Sequence, residues 1–208
     1  MFTDIASPDE SALVALGQGT VYAHLAQGFA FPRQPLMDLV REQMEPSDGP
    51  VGATLSSLRE EARRAGLQQL RRGYMRVFDP KEPPFPLEAE HTCENFRQKV
   101  LLLSDLMGFY RAFGAEVRCQ RPDHVASELD FLYLLSLKEA LARRDGDDQK
   151  VETTREARDK FLREHLLRWY PAVLGQVRDR ATEPQDAFFR ALADALETVL
   201  QQEGEHES

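Results

Sequence analysis

The chain is short of cysteine, of isoleucine, of positive charge and of long apolar runs, and each shortage excludes a class of protein. Cys93 and Cys119 form no CxxC pair and are too few for a disulfide scaffold. No stretch approaches the roughly 18 to 20 apolar residues that a membrane span needs, so no stable membrane insertion is expected. A single isoleucine, Ile5, stands against 27 leucines, with few threonines, a bias toward helix over sheet. Lys and Arg total 26 against 35 Asp and Glu, a net charge of −9. That balance argues against nucleic acid and suits a cationic partner. No Gly-rich phosphate loop, GxSxG or HExxH is present, which removes the readable signatures of nucleotide, acyl-transfer and zinc-hydrolase chemistry. Met1 to Ser11 is acidic and polar, reads as no signal peptide, and points to a cytoplasmic protein.

What is there reads as helices. Ser7-Pro8-Asp9-Glu10 has the form of a capping box with proline at the first helical position. The helix it opens runs to about Gly28 with Tyr22, Leu25 and Phe29 on one stripe, weakened in its middle by Gly17 and Gly19. Pro35 starts a short second helix. Leu55, Leu58, Ala62, Ala65, Leu70, Tyr74 and Val77 give a third at helical spacing. Pro80, Pro83, Pro84 and Pro86 forbid regular helix from Pro80 to Glu90. Phe85 and Leu87 therefore sit on a stiff loop. A fourth helix is expected from about Thr92 to Phe113, with Phe96, Val100, Leu103, Met107 and Tyr110 as its stripe. Thr153-Thr154-Arg155-Glu156 reads as a capping box before Phe161, Leu162, Leu166 and Trp169; Pro171 starts another short helix, and Thr182-Glu183-Pro184-Gln185 opens the last. The tail from Gln201 is expected to fray. The expected fold is an all-α bundle of seven or eight helices in one domain. A hinge at 114–121 would separate an N-terminal sub-bundle (1–113) from a C-terminal one (122–208).

The stretch from Arg121 to Leu135 organises the chain. Pro122 suits the first position of a helix, and Asp123 would then lie in its first turn beside the exposed amides. From Leu129 to Leu137 the helix is apolar almost all round, as a central helix is. Its start nevertheless carries Asp123 and His124, with Glu128 one turn on and on the same face as the histidine. Two readings stand side by side: a polar crown that binds something, or one that ties the helix start to its neighbouring loop. His124 and Glu128 could touch one metal ion, but a site needs three or four ligands and no cluster supplies them, so no metal and no cofactor are expected. His24 and His165 read as core or boundary histidines, Trp169 and Phe188-Phe189 as core, and Arg63-Arg64 and Arg71-Arg72 as the wet face of the third helix.

Pro122-Asp123-His124, followed by Glu128-Leu129 and Phe131-Leu132, resembles the signature of the TorD/DmsD/NarJ family of redox-enzyme maturation chaperones. Tyr74-Met75-Arg76-Val77-Phe78 resembles the family's Tyr-x-x-Leu-Phe segment, and the Pro83-Pro84 loop follows it in order. Gly108-Phe109-Tyr110 to Gly114, the run Phe161 to Trp169 with its His-Leu-x-x-Trp, and Phe188-Phe189 fall where the family has comparable pieces. The Pro-Leu-Glu-Ala wording at 86–89 is most like the branch serving type II enzymes of the dimethyl-sulfoxide-reductase family. The chain departs from the pattern where Arg121 stands in place of the acid that usually precedes the triplet.

The resemblance implies a non-catalytic chaperone. Its partner would be the apo catalytic subunit of a molybdopterin oxidoreductase, held by its N-terminal twin-arginine signal peptide until the molybdenum cofactor is inserted. A cationic and apolar peptide asks for carboxylates beside a hydrophobic groove. Asp123, Glu128 and Glu88 are the expected partners of its arginines, through bidentate pairing. Tyr74, Phe85 and Leu87 are the expected apolar lining, with Pro122 and His124 at the same crown. The chaperone would be a monomer or a dimer formed by exchanging halves. A helical adaptor for a different protein is the alternative reading.

Overall fold

Tyr22, Leu25 and Phe29, the stripe expected on the first helix, are fully buried, as are Leu129, Leu132 and Leu135 on the expected central helix. The computed structural model in which they meet describes residues 10–41, 49–79, 81, 86–117 and 121–206. Its α-helices are α1 (Glu10–Phe29), α2 (Gln34–Arg41), α3 (Gly49–Val77), α4 (Glu88–Thr92), α5 (Phe96–Ala112), α6 (Val125–Arg144), α7 (Asp148–Phe161), α8 (Leu167–Arg180) and α9 (Ala187–His206). A π-helical turn, Leu162–Leu166, carries α7 into α8 without a break, so the described residues form eight helical rods and no strand. The fold is the expected all-α bundle.

The packing pairs early helices with late ones. α1 lies along α6, and α3 lies along α9. The two expected halves therefore share one core, from Tyr22 through Leu132 and Trp169 to Leu200. Close approach of α1 to α6 depends on Gly19, where an added Cβ would stand 2.9 Å from the Cβ of Ser136. Gly66 does a different job. Its φ of 68° breaks α3 into two straight pieces, a conformation that costs glycine little and other residues much.

Several expected boundaries move, each for a local reason. The long fourth helix is two: Asn95 caps α5 by accepting from Gln98 N at 3.0 Å, while Gln98 Oε1 accepts from Asn95 N at 3.3 Å. Only the second half of α5 reaches the core, through Leu106 and Tyr110; Phe96 and Val100 from the expected stripe are 81% and 48% exposed. α7 starts earlier than the threonine box, because Asp147 accepts from Lys150 N at 3.1 Å. Pro171 lies inside α8, one turn after the π-helical segment, instead of starting a helix. α9 continues to His206, because Glu203 is bonded by Gln18 and by the hydroxyl of Tyr22 at 2.7 Å. The box at Ser7-Pro8-Asp9-Glu10 falls mostly outside the described residues, as does part of the 114–121 hinge. No described helix is long and apolar enough to cross a membrane.

Candidate functional site

The start of α6 is set by His124, not by proline. His124 is the N-cap residue, and its Nδ1 accepts from Ala126 N at 3.1 Å. Pro122 and Asp123 form a turn just before the helix, one step earlier than the sequence suggests. Burial, and then the charge of Arg121, lower the His124 pKa to about 4. The imidazole is thus neutral at ordinary pH, which the cap requires: a protonated Nδ1 could not accept.

Asp123 is fully buried and grips Arg121. The guanidinium donates from Nε to Oδ1 and from a terminal nitrogen to Oδ2, both at 2.9 Å, with the arginine side chain 50% exposed. Around the turn, Tyr110 donates its hydroxyl to the Pro122 carbonyl at 2.7 Å, and Ser127 Oγ donates to the Arg121 carbonyl at 2.8 Å.

The proline loop arrives at this turn and is clasped to it. Glu88 N donates to the Asp123 carbonyl at 2.8 Å and Val125 N to the Pro86 carbonyl at 3.0 Å, an isolated antiparallel bridge centred on Leu87 and His124. Two stretches picked out separately in the sequence thus form one junction.

Beneath the clasp lie two more carboxyls, both fully buried. Glu88 accepts from Nδ1 of His165 at 3.0 and 3.2 Å, while Nε2 of the same ring lies 3.3 Å from Asp105 Oδ2. Glu128 Oε2 accepts from the indole N–H of Trp169 at 3.1 Å, and Oε1 has no partner among the described residues. Burial raises the Glu128 pKa well above the usual carboxylate range; the charge of Glu88 adds to the rise and the Trp169 bond opposes it. Glu128 therefore carries a proton near neutrality, which it can donate to Glu88 within hydrogen-bond reach. The ring of His91 stacks on Trp169 at 5.4 Å.

Pro122, Asp123, His124, Glu128, Leu87 and Glu88 are brought together here. Tyr74 belongs to a different cluster, edge-on to Phe31 at 5.4 Å and beside Phe78 at 4.9 Å. Phe85 lies outside the described residues. The expected open acidic face is not how the carboxylates are presented: Asp123, Glu128 and Glu88 are turned inward and engaged by Arg121, Trp169 and His165. These partners were not singled out from sequence. For His165 and Trp169 the available signal was their one-turn spacing on a single helical face. No group of three or more His, Cys, Asp or Glu placed to hold a metal occurs among the described residues.

The comparisons with known proteins agree with the motifs. Residues 45–174 match the model of the nitrate reductase delta subunit family. The chain is 41% identical over 73 residues to a selenate reductase assembly chaperone protein of Thauera selenatis, and 38% identical over 73 residues to a chlorate reductase assembly chaperone protein of Ideonella dechloratans. Each match spans 34% of this chain and 37% of the relative. With well over half of its length inside the family match and the Pro-Asp-His turn built at its centre, the chain belongs to the nitrate reductase delta subunit family, the TorD/DmsD/NarJ group.

Proposed function

We propose that the chain is a non-catalytic assembly chaperone. It binds the N-terminal twin-arginine signal region of the apo catalytic subunit of a molybdopterin oxidoreductase in the cytoplasm, and holds that subunit until its molybdenum cofactor is inserted. Family membership and the names of the two relatives support the class of function. The observation that supports arginine recognition is the Arg121–Asp123 fork. A buried carboxylate is reached in bidentate fashion by a guanidinium whose stem is half in solvent. A client arginine can take the same two bonds once Arg121 swings away, exchanging one bidentate pair for another. Glu88, Leu87, Pro122 and His124 then act by holding the loop against the turn, and Glu128 by supporting them from below.

The test is calorimetric titration with a synthetic peptide of a candidate client's signal region. Asp123→Asn should weaken binding by roughly ten- to hundred-fold, the loss of about 1.5–3 kcal/mol expected of a charge-assisted bond. Arg121→Ala should tighten it, because the internal competitor is gone. Unchanged affinity in both folded variants sinks the arginine role of Asp123.

A further inference from the structure

Past Trp169, α8 reads Ala172-Val173-Leu174-Gly175-Gln176-Val177-Arg178-Asp179-Arg180. Val173, Leu174 and Val177 enter the core, while Ala172, Gly175 and Asp179 recur at helical spacing on the exposed side. With His91 of α4 and Arg180 they line a groove of about 390 Å³. Ala172 and Gly175 give it almost no side chain, and nothing lies within 4 Å of where a Gly175 Cβ would stand.

Gln176 also lines this groove. It is 8% exposed, and neither its Oε1 nor its Nε2 has a hydrogen-bond partner among the described residues. A buried carboxamide left unpaired at both ends is costly, and such groups in folded proteins need an explanation. The groove offers one. A carboxamide carries one donor and one acceptor side by side, which matches the C=O and N–H of a peptide backbone in an extended segment. Asp179, exposed at the end of the line, sets the charge of the neighbouring side chain as basic. A phosphate or other anion fits poorly: Asp179 opposes it, the chain carries −9, and Arg180 already donates to the Val77 carbonyl at 3.2 Å.

We infer that the α4–α8 groove is a second recognition site, taking an extended, basic peptide segment whose backbone is read by the Gln176 carboxamide. The groove is continuous with the junction described above. His91 stacks on Trp169, and Trp169 bonds Glu128, so one aromatic ring separates the groove from the carboxyls beneath the clasp. The source of the peptide, a client polypeptide, rests on the chaperone reading; the chemistry of the groove does not.

The experiment uses the full chain labelled with nitrogen-15, titrated with acetyl-Ala-Arg-Ala-amide and with the ester analogue that replaces its central N–H by oxygen. The tripeptide at millimolar concentration should shift the Gln176 side-chain amide pair and the His91 ring signals, and the ester should bind at least ten-fold more weakly. Gln176→Met should lose the same ten-fold while its thermal midpoint stays equal or rises, since an unpaired polar group has been removed. A fall in the midpoint together with unchanged affinity makes Gln176 an internal structural group and overturns the proposal. So does the absence of any shift at these signals, or a response confined to Arg121 and Asp123. In that last case the chaperone reading stands, with the peptide seated at the clasp. Conversely, tripeptide binding in the groove by a chain that captures no oxidoreductase subunit would leave the groove and remove its assigned source.

Discussion

The indole N–H of Trp169 donates to the buried carboxyl of Glu128 at 3.1 Å, although the two residues lie 41 positions apart. This bond ties α8 to the first turn of α6, directly under the clasp. Trp169→Phe keeps a ring against His91 but leaves the Oε2 of Glu128 without its donor. It should cost about 1–3 kcal/mol in urea unfolding. A double-mutant cycle with Glu128→Gln should recover most of that cost as a coupling term, and additive losses would show that the bond contributes little.

Glu128 sets one arm of the pH dependence. Its folded pKa lies above the unfolded value, so above the unfolded pKa the native state holds a proton that the unfolded chain has released. Stability from this group is therefore complete at low pH and falls as pH rises toward the folded pKa. Glu128→Gln, which is neutral and still accepts from Trp169, should flatten this decline and be at least as stable as the wild type at pH 7 or above. A variant that loses stability equally at every pH would show that the proton is not the issue.

His124 works in the opposite sense. Its folded pKa of about 4 is below the ordinary 6.5, so between those values the unfolded chain binds a proton that the native cap refuses. Stability should fall on acidification from pH 6.5 to 4, by about 2–3 kcal/mol at the lower end. His124→Asn retains an N-cap acceptor that does not titrate in this range, and should remove that slope from a series of denaturant melts. An unchanged slope would assign the acid sensitivity to other groups.

Gly19 is a test of packing. Valine there would drive a branched side chain into Ser136 and the neighbouring Tyr133, whose Cδ2 lies 3.3 Å from the Cβ position. α1 must then lift from α6, at a cost of about 1–3 kcal/mol. Gly17→Val, where nothing lies within 4 Å, is the control and should be far milder. Equal effects would attribute both to helix propensity.

Much of this was legible in the sequence, and the rest was not for identifiable reasons. Leucine periodicity located the helices because burial on one face leaves a three- and four-residue rhythm that survives any tertiary detail. It misjudged α5, since Phe96 and Val100 keep that rhythm and yet stay in solvent. The break at Cys93–Asn95 turned on a single cap, which a scan for apolar stripes passes over. Within the site, the Pro-Asp-His turn and the proline loop were both marked, but their contact is made by backbone groups that carry no residue signature. The inward turn of the acids was invisible for another reason: Glu88 meets His165 across 77 positions, and nothing local announces the pairing.

The clasp between the proline loop and the head of α6 has a consequence for how members of such a family diverge. Both of its bonds are main chain to main chain, with donors at Glu88 and Val125 and acceptors at Pro86 and Asp123. Only proline at 88 or at 125 removes a donor. Side chains along the loop are otherwise at liberty to drift while its anchor persists, so one lineage can trade one partner for another by point substitution without first having to reinvent the attachment.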